Sequence, residues 1–499
     1  MKRNHLLAAC SLAVLLFACK KNDLPHNEPK EDPATFAEIG SIDIGDAGAA
    51  EITAYDPTTQ RLFVVNNSSV NKIDVLDFSN PAAPAYIHSI SMALIGGFVN
   101  SLDVDKGVLA AAVEAVNKQE PGKVALFNTT TYALIKTVAV GALPDMVTYS
   151  PDGKYILTAN EGEPSSDYYN DPEGTVSIIS VKDNYAVTTI GFGVFAKQQA
   201  ALVAKGLRVF GPNASFAQDM EPEYITVSDD SRTAWVTLQE NNAIAKIDLQ
   251  AKTVIDIFPL GFKHYNSATN AIDASDRDGA IAFNPQPVWG MYQPDAIAFY
   301  LAGGTPLLFT ANEGDAREYD AFAEIKRVKD LKLDAAAFPD AAIKTDVRLG
   351  RLNVTSTLGD TDGDGDYDAL YSLGARSFSV WNGNTGAQLY DSGNDLDRRA
   401  ANAGLYDDGR SDDKGVEPEG LTIGEINRRP VLFVGLERAD AVAVYDLTNT
   451  GTPRFLKMLP CGDAPEGVLF INAKDSPTRK SLLVVSSEND GVIKVYSTK

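Results

Sequence analysis

Sulfur and imidazole are scarce in this 499-residue chain. It holds three cysteines, Cys10, Cys19 and Cys461, and four histidines, His5, His26, His88 and His264. Cys10 lies in the opening apolar stretch, so no disulfide framework is available and the core must be stable without covalent staples. Only His264 falls near a candidate site, which argues against a histidine-rich zinc centre. There is no G-x-S-x-G, no Walker loop and no Cys/His pair to supply an activated nucleophile or a phosphate cradle. Positive charge is also short: 44 basic residues face 67 acidic ones, for a net charge of −23. Such a surface repels phosphate backbones and excludes nucleic acid as a partner. It favours cations, or surfaces that present them. After the first 17 residues no run is long and apolar enough to cross a bilayer.

What is present begins with a leader. In "MKRNHLLAACSLAVLLFACKKND" a positive start, Lys2 and Arg3, precedes an apolar run from Leu6 to Phe17 that is too short to span a membrane. The run ends Leu16-Phe17-Ala18-Cys19, which resembles a lipobox; residues 1–18 are then a signal peptide and Cys19 the lipidated N-terminus. Loss of Lys2 and Arg3 takes the charge from −23 to −25. Residues 20–34, "KKNDLPHNEPKEDPA", are charged and proline-bearing without apolar periodicity, the pattern of a flexible tether. The expected location is the cell envelope, with the outer membrane or cell surface as the site of a lipid anchor.

Residues 35–499 are repetitive. Copies begin at Pro144, Pro222, Pro294, Pro418 and Pro465, with weaker ones at Ala49 and Val99. Each runs proline or a small residue, an acid, a β strand rich in Val, Ile, Thr, Tyr and Phe, a polar turn, a second strand, a glutamate, and a third strand. Uninterrupted copies lie roughly 45–50 residues apart, the length of a four-stranded propeller blade. "FAEIGSIDIGDAG" at 36–48 reads as a fourth strand with no blade ahead of it. It is expected to complete the last blade and so remove the exposed sheet edges. An all-β, seven-bladed β-propeller closed by its N-terminal strand is the predicted fold, and the unpaired opening strand argues against a solenoid. Longer intervals predict insertions near 182–221, 250–293 and 318–374, where function tends to sit.

One insertion carries "GDTDGDGDYDAL" (359–370), with Asp360, Asp362, Asp364, Asp366 and Asp368 at every second position. D-x-D-x-D-G is the opening of a calcium loop: a hard cation wants six to eight oxygens, and Gly365 permits the sharp turn. Tyr371 stands where a full EF-hand has its bidentate glutamate, so a further ligand must come from elsewhere. Calcium is the expected cofactor, and an exported protein needs only weak affinity, on the order of 10⁻⁴–10⁻³ M.

The repeats also place acids in register. Asp145, Glu223, Asp295, Glu419 and Glu466 follow the opening prolines; Glu161, Glu240, Glu313, Glu437 and Glu488 close the second strands. Equivalent blade positions form rings about a propeller axis, fit either to bind cations or to accept backbone N–H groups. Glu161, Glu163, Asp278 and Glu313 are candidates for a second metal or ligand site. Three mixed-charge clusters add arginine to carboxylates: "DASDRDG" (Asp273, Asp276, Arg277, Asp278), "EGDAREY" (Asp315, Arg317) and "DDGRSDDKGVEPEG" (Arg410, Asp412, Asp413, Lys414, Glu417). Arginine beside metal-binding carboxylates suits phosphate or carboxylate, and surface ion pairs are the plainer reading.

"TANEGDAREY", "DGDGDYDALYSLGARSFSVW", "RSDDKGVEPEGL" and "APEGVLFI" resemble the choice-of-anchor I family of bacterial surface proteins, over roughly residues 36–499. That family is similar to the mesenchyme-specific cell-surface glycoproteins of biomineralising embryos. The resemblance implies a secreted or anchored propeller linked with calcium; some bacterial relatives carry the label alkaline phosphatase. Here attachment departs from a C-terminal sorting segment in favour of Cys19. Two functions follow as expectations. One is a calcium-binding surface module for adhesion or scaffolding, presenting acidic loops to an extracellular ligand or matrix. The other is a calcium-dependent phosphoester hydrolase using Asp276, Asp315, Arg277, Arg317 or Arg410.

Overall fold

The computed structural model of the protein describes residues 30–499. The leader, Cys19 and the tether up to residue 29 lie outside the described residues. Seven four-stranded antiparallel sheets make up the body. Their first strands are Thr53–Asp56, Val99–Asp105, Pro144–Tyr149, Pro222–Val227, Ile297–Ala302, Pro418–Ile426 and Pro465–Ile471. Numbered in that order, each sheet shares a separate apolar cluster with the next. Leu157 and Val176 of the third meet Ile225 and Val236 of the fourth, for example, and Leu62 and Val64 of the first meet Val484 and Ile493 of the seventh. The ring is closed, and the protein is a β-propeller.

The second strands show why. Arg61–Asn66, Val108–Val113, Tyr155–Asn160 and Thr233–Leu238 are buried at every position after the first. A strand sandwiched between neighbouring sheets has no solvent face, so these read as continuous apolar runs. Outer strands such as Ala85–Ser91 are mostly exposed. Five of the third strands end in an acid or amide, and its side chain turns the chain: Asn128 accepts from the N–H of Thr130 and Thr131, and Asp248 from Gln250 and Ala251.

Ala37–Asp43 pairs antiparallel with Val492–Ser497, from Ala37 opposite Ser497 to Asp43 opposite Val492. The N-terminal strand is thus the outer strand of the seventh sheet. The chain just ahead of it is held rather than free: the Glu31 carboxylate accepts from Ser481 N at 2.8 Å and Thr498 Oγ1 at 2.7 Å. The tether reading therefore fails for residues 31–34.

Excursions interrupt the ring. Ala186–Gly191 and Thr253–Pro259 are fourth strands, so the first two excursions start only after residues 191 and 259, later than expected. The third lies inside the fifth sheet, between Thr305–Asn312 and Ser377–Asn382. A fourth, unanticipated, runs from 392 to 417 and carries the helix Asp395–Ala403. The second and third share their own core, in which Tyr265, Ile272 and Val288 pack with Val328, Leu352 and Leu370. Among the described residues no helix is long and apolar enough to cross a membrane.

Candidate functional site

Six of the first strands, with Asp295 just ahead of the remaining one, line a central cavity of about 680 Å³. Five of the seven open with a register shift: between Val99 and Ser101, Pro144 and Met146, Pro222 and Ile225, Pro418 and Leu421, and Pro465 and Gly467. A bulge leaves a residue unpaired and re-aims its side chain. The residues so released are Asn100, Asp145, Glu223, Glu419 and Glu466, and all five line the cavity with Asp295. The opening proline suits a position that gives no ladder hydrogen bond. At Asp145, Glu223, Glu419 and Glu466 the recurring acid is thus a product of the bulge.

Glu51 belongs to the same set, and the sequence reading passed over it because Ala50 replaces the proline. Its carboxylate accepts from Asn67 Nδ2 at 2.8 Å. Burial, and then Glu488, push it up to about 8. Glu223, Asp295, Glu419 and Glu466 are all driven well above the carboxylate range, by burial first and then by neighbouring carboxylates. The ring is electrostatically linked from sheet to sheet. The cations lining it are Lys414 and Arg438.

The second expected ring needs one correction. Pairing of Pro222 with Leu238, set beside Pro144 with Asn160, makes Gln239 the counterpart of Glu161. Glu240 sits one residue on, in a tight turn closed by Asn242 N to Gln239 O. Even so, Glu240 joins Glu161 and Glu223: one oxygen from each lies within 4.8 Å of the others. Glu313, Glu417 and Glu437 form a similar trio. There Lys414 Nζ lies 2.5 Å from Glu313 and 3.3 Å from Glu417.

The aspartate loop is a separate place. Asp360 accepts from the N–H of Gly363 and Gly365, glycines whose φ angles of 79° and 88° require the absence of a side chain. Asp360, Asp362 and Asp368 offer oxygens within 4.8 Å of one another, as do Asp334, Asp366 and Asp368. Asp334 arrives through pairing of Leu333 with Tyr367, and Asp334 N donates to Tyr367 O at 3.1 Å. It thus brings a carboxylate from outside the ladder to Asp366 and Asp368. The Thr361 hydroxyl and N–H hold Asp368 below its usual range, and Lys332 pairs with Asp366 at 2.9 Å. An all-oxygen set of this density fits a hard cation such as calcium.

The remaining candidates disperse. Glu163 pairs with Lys118, and Asp278 approaches Asp273 and Asp408, so Glu161, Glu163, Asp278 and Glu313 do not form one site. The three arginines do not converge either. Arg317 is buried, its Nη1 2.6 Å from Asp219 and its Nε 3.0 Å from Glu221. Arg410 donates from both Nε and Nη2 to Glu417 Oε1 and reaches Asp413. Arg277 is exposed and touches Asp276 at 3.2 Å. Asp276 is in turn bound by Arg351, which with Arg327 also holds Asp412. Those two arginines, unmarked in the sequence reading, staple three excursions together. Asp315 lines the cavity beside Lys414. His88 stacks on Tyr132 and His264 on Trp289.

The family model of the choice-of-anchor I domain matches residues 51–450. Gigasin-3a of Magallana gigas is 29% identical over 192 residues, 32% of this chain and 67% of its own. The mesenchyme-specific cell surface glycoprotein of Strongylocentrotus purpuratus is 27% identical over 362 residues, 60% of this chain. This chain spans 46% of that glycoprotein's length. Among solved structures, hydrazine synthase of Kuenenia stuttgartiensis superposes with a TM-score of 0.51 at 12% identity, covering 91% of this chain and 97% of that one. At that identity the likeness concerns the fold alone.

Proposed function

The chain belongs to the choice-of-anchor I family, and on that premise we propose that it is a cell-surface binding or scaffold module, held to the envelope by a lipid on Cys19 and stabilised by calcium in the loop 360–368. The observation that carries the calcium reading is the arrival of Asp334 beside Asp366 and Asp368, which completes an oxygen-only donor set. Asp360, Asp362, Asp366, Asp368 and Asp334 would hold the ion. Its charge would offset the mutual repulsion of the carboxylates and fix the loop against the Leu333–Tyr367 pairing. The surface location draws on the family and on the printed name of the glycoprotein relative. No observation favours the phosphoester hydrolase, because Arg317 and Arg410 are committed to internal carboxylates and Arg277 stands apart from the channel.

Thermal unfolding of the fragment 20–499 with calcium and with chelator, beside a phosphomonoester assay, tests the reading. Calcium should raise the melting temperature, Asp362→Asn should remove most of that rise, and no turnover should appear. Turnover lost on chelation and reduced by Arg277→Ala would replace the binding module with an enzyme. Cys19→Ser in cells should move the protein out of the membrane fraction; retention there would refute the lipid anchor.

A further inference from the structure

We infer that the central channel holds a second hard divalent cation, between Glu161, Glu223 and Glu240, at the seam of the third and fourth sheets. The three residues come from different elements with fixed backbones. Glu161 follows Tyr155–Asn160 and its N–H donates to Leu143 O at 2.8 Å. Glu223 sits in the bulge after Pro222. Glu240 lies in the turn after Thr233–Leu238, where Arg208 Nη1 binds its carbonyl at 3.0 Å. Next to it, Asn241 Nδ2 ties the turn to Asp219 O at 2.6 Å. The carboxylates are therefore placed by the scaffold, not by one mobile loop.

Two of the three are also unpartnered. Glu223 and Glu240 are 8% and 4% exposed, and Oε2 of each is buried and accepts no hydrogen bond. Burying a carboxylate without a partner costs several kcal/mol, so native proteins pair such groups or bind a cation to them. The nearby protein cations are already spent. Arg317 faces Asp219 and Glu221, Arg208 faces Glu324, and Lys118 faces Glu163.

The molecule contains its own comparison. At the seam between the fifth and sixth sheets, Glu313, Glu417 and Glu437 make a similar trio, joined to the first through Gln239 Nε2, which donates to Glu313 Oε2 at 3.0 Å. Glu313, like Glu161, follows the second strand of its sheet. That trio carries Lys414, delivered by the 392–417 excursion, with Nζ touching both Glu313 and Glu417. The excursion ahead of the fourth sheet, 192–221, delivers no ammonium to Glu161, Glu223 and Glu240. An ion from solution would do there what Lys414 does at the neighbouring trio.

Three carboxylates without sulfur or imidazole select a hard ion: calcium, magnesium or manganese rather than copper. Glu161 and Glu223 line the cavity, so the ion has a path in and room for the water ligands that complete its shell. Burial and the neighbouring acids hold all three carboxyls well above their usual range.

Crystals of the protein grown in manganese chloride should show an anomalous peak between these three carboxylates. Calorimetric titration of the same protein with manganese should show a step that survives Asp362→Asn, which separates it from the aspartate loop. Glu240→Gln should weaken that step by at least about tenfold. The amide keeps the shape and removes a buried charge, so the metal-free variant should melt no lower than the wild type. If Glu240→Gln fails to fold, Glu161→Gln, at the channel surface, serves in its place. Absence of the peak, or a manganese step indifferent to Glu240→Gln and Glu161→Gln, would overturn the inference.

Discussion

Lys414 Nζ lies 2.5 Å from Glu313 Oε1, in a channel wall whose charged residues, Arg438 apart, are otherwise all acidic. Burial pulls the ammonium toward neutrality, but Glu313 and Glu417 outweigh it and hold the proton on. Removing the cation while leaving the carboxylates is the damaging way to break such a pair. Lys414→Met should lower stability by about 3–5 kcal/mol in urea unfolding. Calcium should then recover part of the loss, because the trio Glu313, Glu417 and Glu437 would become a vacant cation site. No change in stability would show that Lys414 is a surface residue in solution.

Glu51 makes the channel pH-sensitive. Its carboxyl titrates near 4.5 when unfolded and is raised to about 8 in the fold, by burial first and Glu488 second. Between these values the native state holds a proton that the unfolded chain has released. Stability must then fall as pH rises from 4.5 to 8, and the penalty is complete above 8. In chelator, Glu51→Gln should match the wild type at pH 4 and exceed it at pH 9 by on the order of 2–4 kcal/mol. Gln keeps an acceptor for Asn67 Nδ2. Parallel melting curves at both pH values would refute the shift.

The parts of this molecule legible in advance are those written in local periodicity. Runs such as "RLFVV" and "YILTAN" declare buried strands, and an opening strand without a blade ahead of it announces the pairing of Ala37–Asp43 with Val492–Ser497. The channel acids were legible where a proline marked the bulge, and Glu51 was lost where Ala50 stood instead. Glu240 was placed one residue out of register because the turn after Leu238 carries an amide and an acid side by side. Long-range pairing left no local trace. Nothing in "EGDAREY" says that Arg317 turns back to Asp219 and Glu221, and nothing near 334 says that Leu333 will pair with Tyr367.

The arginines separate structural from functional charge. Arg317 is 2% exposed and bonded to both Asp219 and Glu221. Arg317→Ala would leave two buried carboxylates unpaired, for a loss of about 3–5 kcal/mol. Lysine cannot reproduce the fork, so Arg317→Lys should recover little. Arg277 has a side chain 60% exposed, and its pair with Asp276 is shared with Arg351. Arg277→Ala should stay within about 0.5 kcal/mol of the wild type. Denaturant midpoints of the three variants decide. A large loss for Arg277→Ala would mean that it holds something the ion-pair network does not account for.

Asp334 and Asp362 test whether one ion joins the two halves of the loop region. Asp362 belongs to the ladder, and Asp334 comes from the segment that Leu333 pairs to Tyr367. A ligand at a hundred times its dissociation constant stabilises the fold by about 2.7 kcal/mol. If a single calcium is shared, Asp334→Asn and Asp362→Asn should each remove most of the calcium-induced gain. The double variant should then lose little more than either alone, because contacts to one ion do not add. Glu240→Gln should add to either of them, since the channel trio has no residue in common with the loop. Additive losses for Asp334→Asn and Asp362→Asn would instead divide the aspartates between two ions, one at Asp360, Asp362 and Asp368 and one at Asp334 and Asp366.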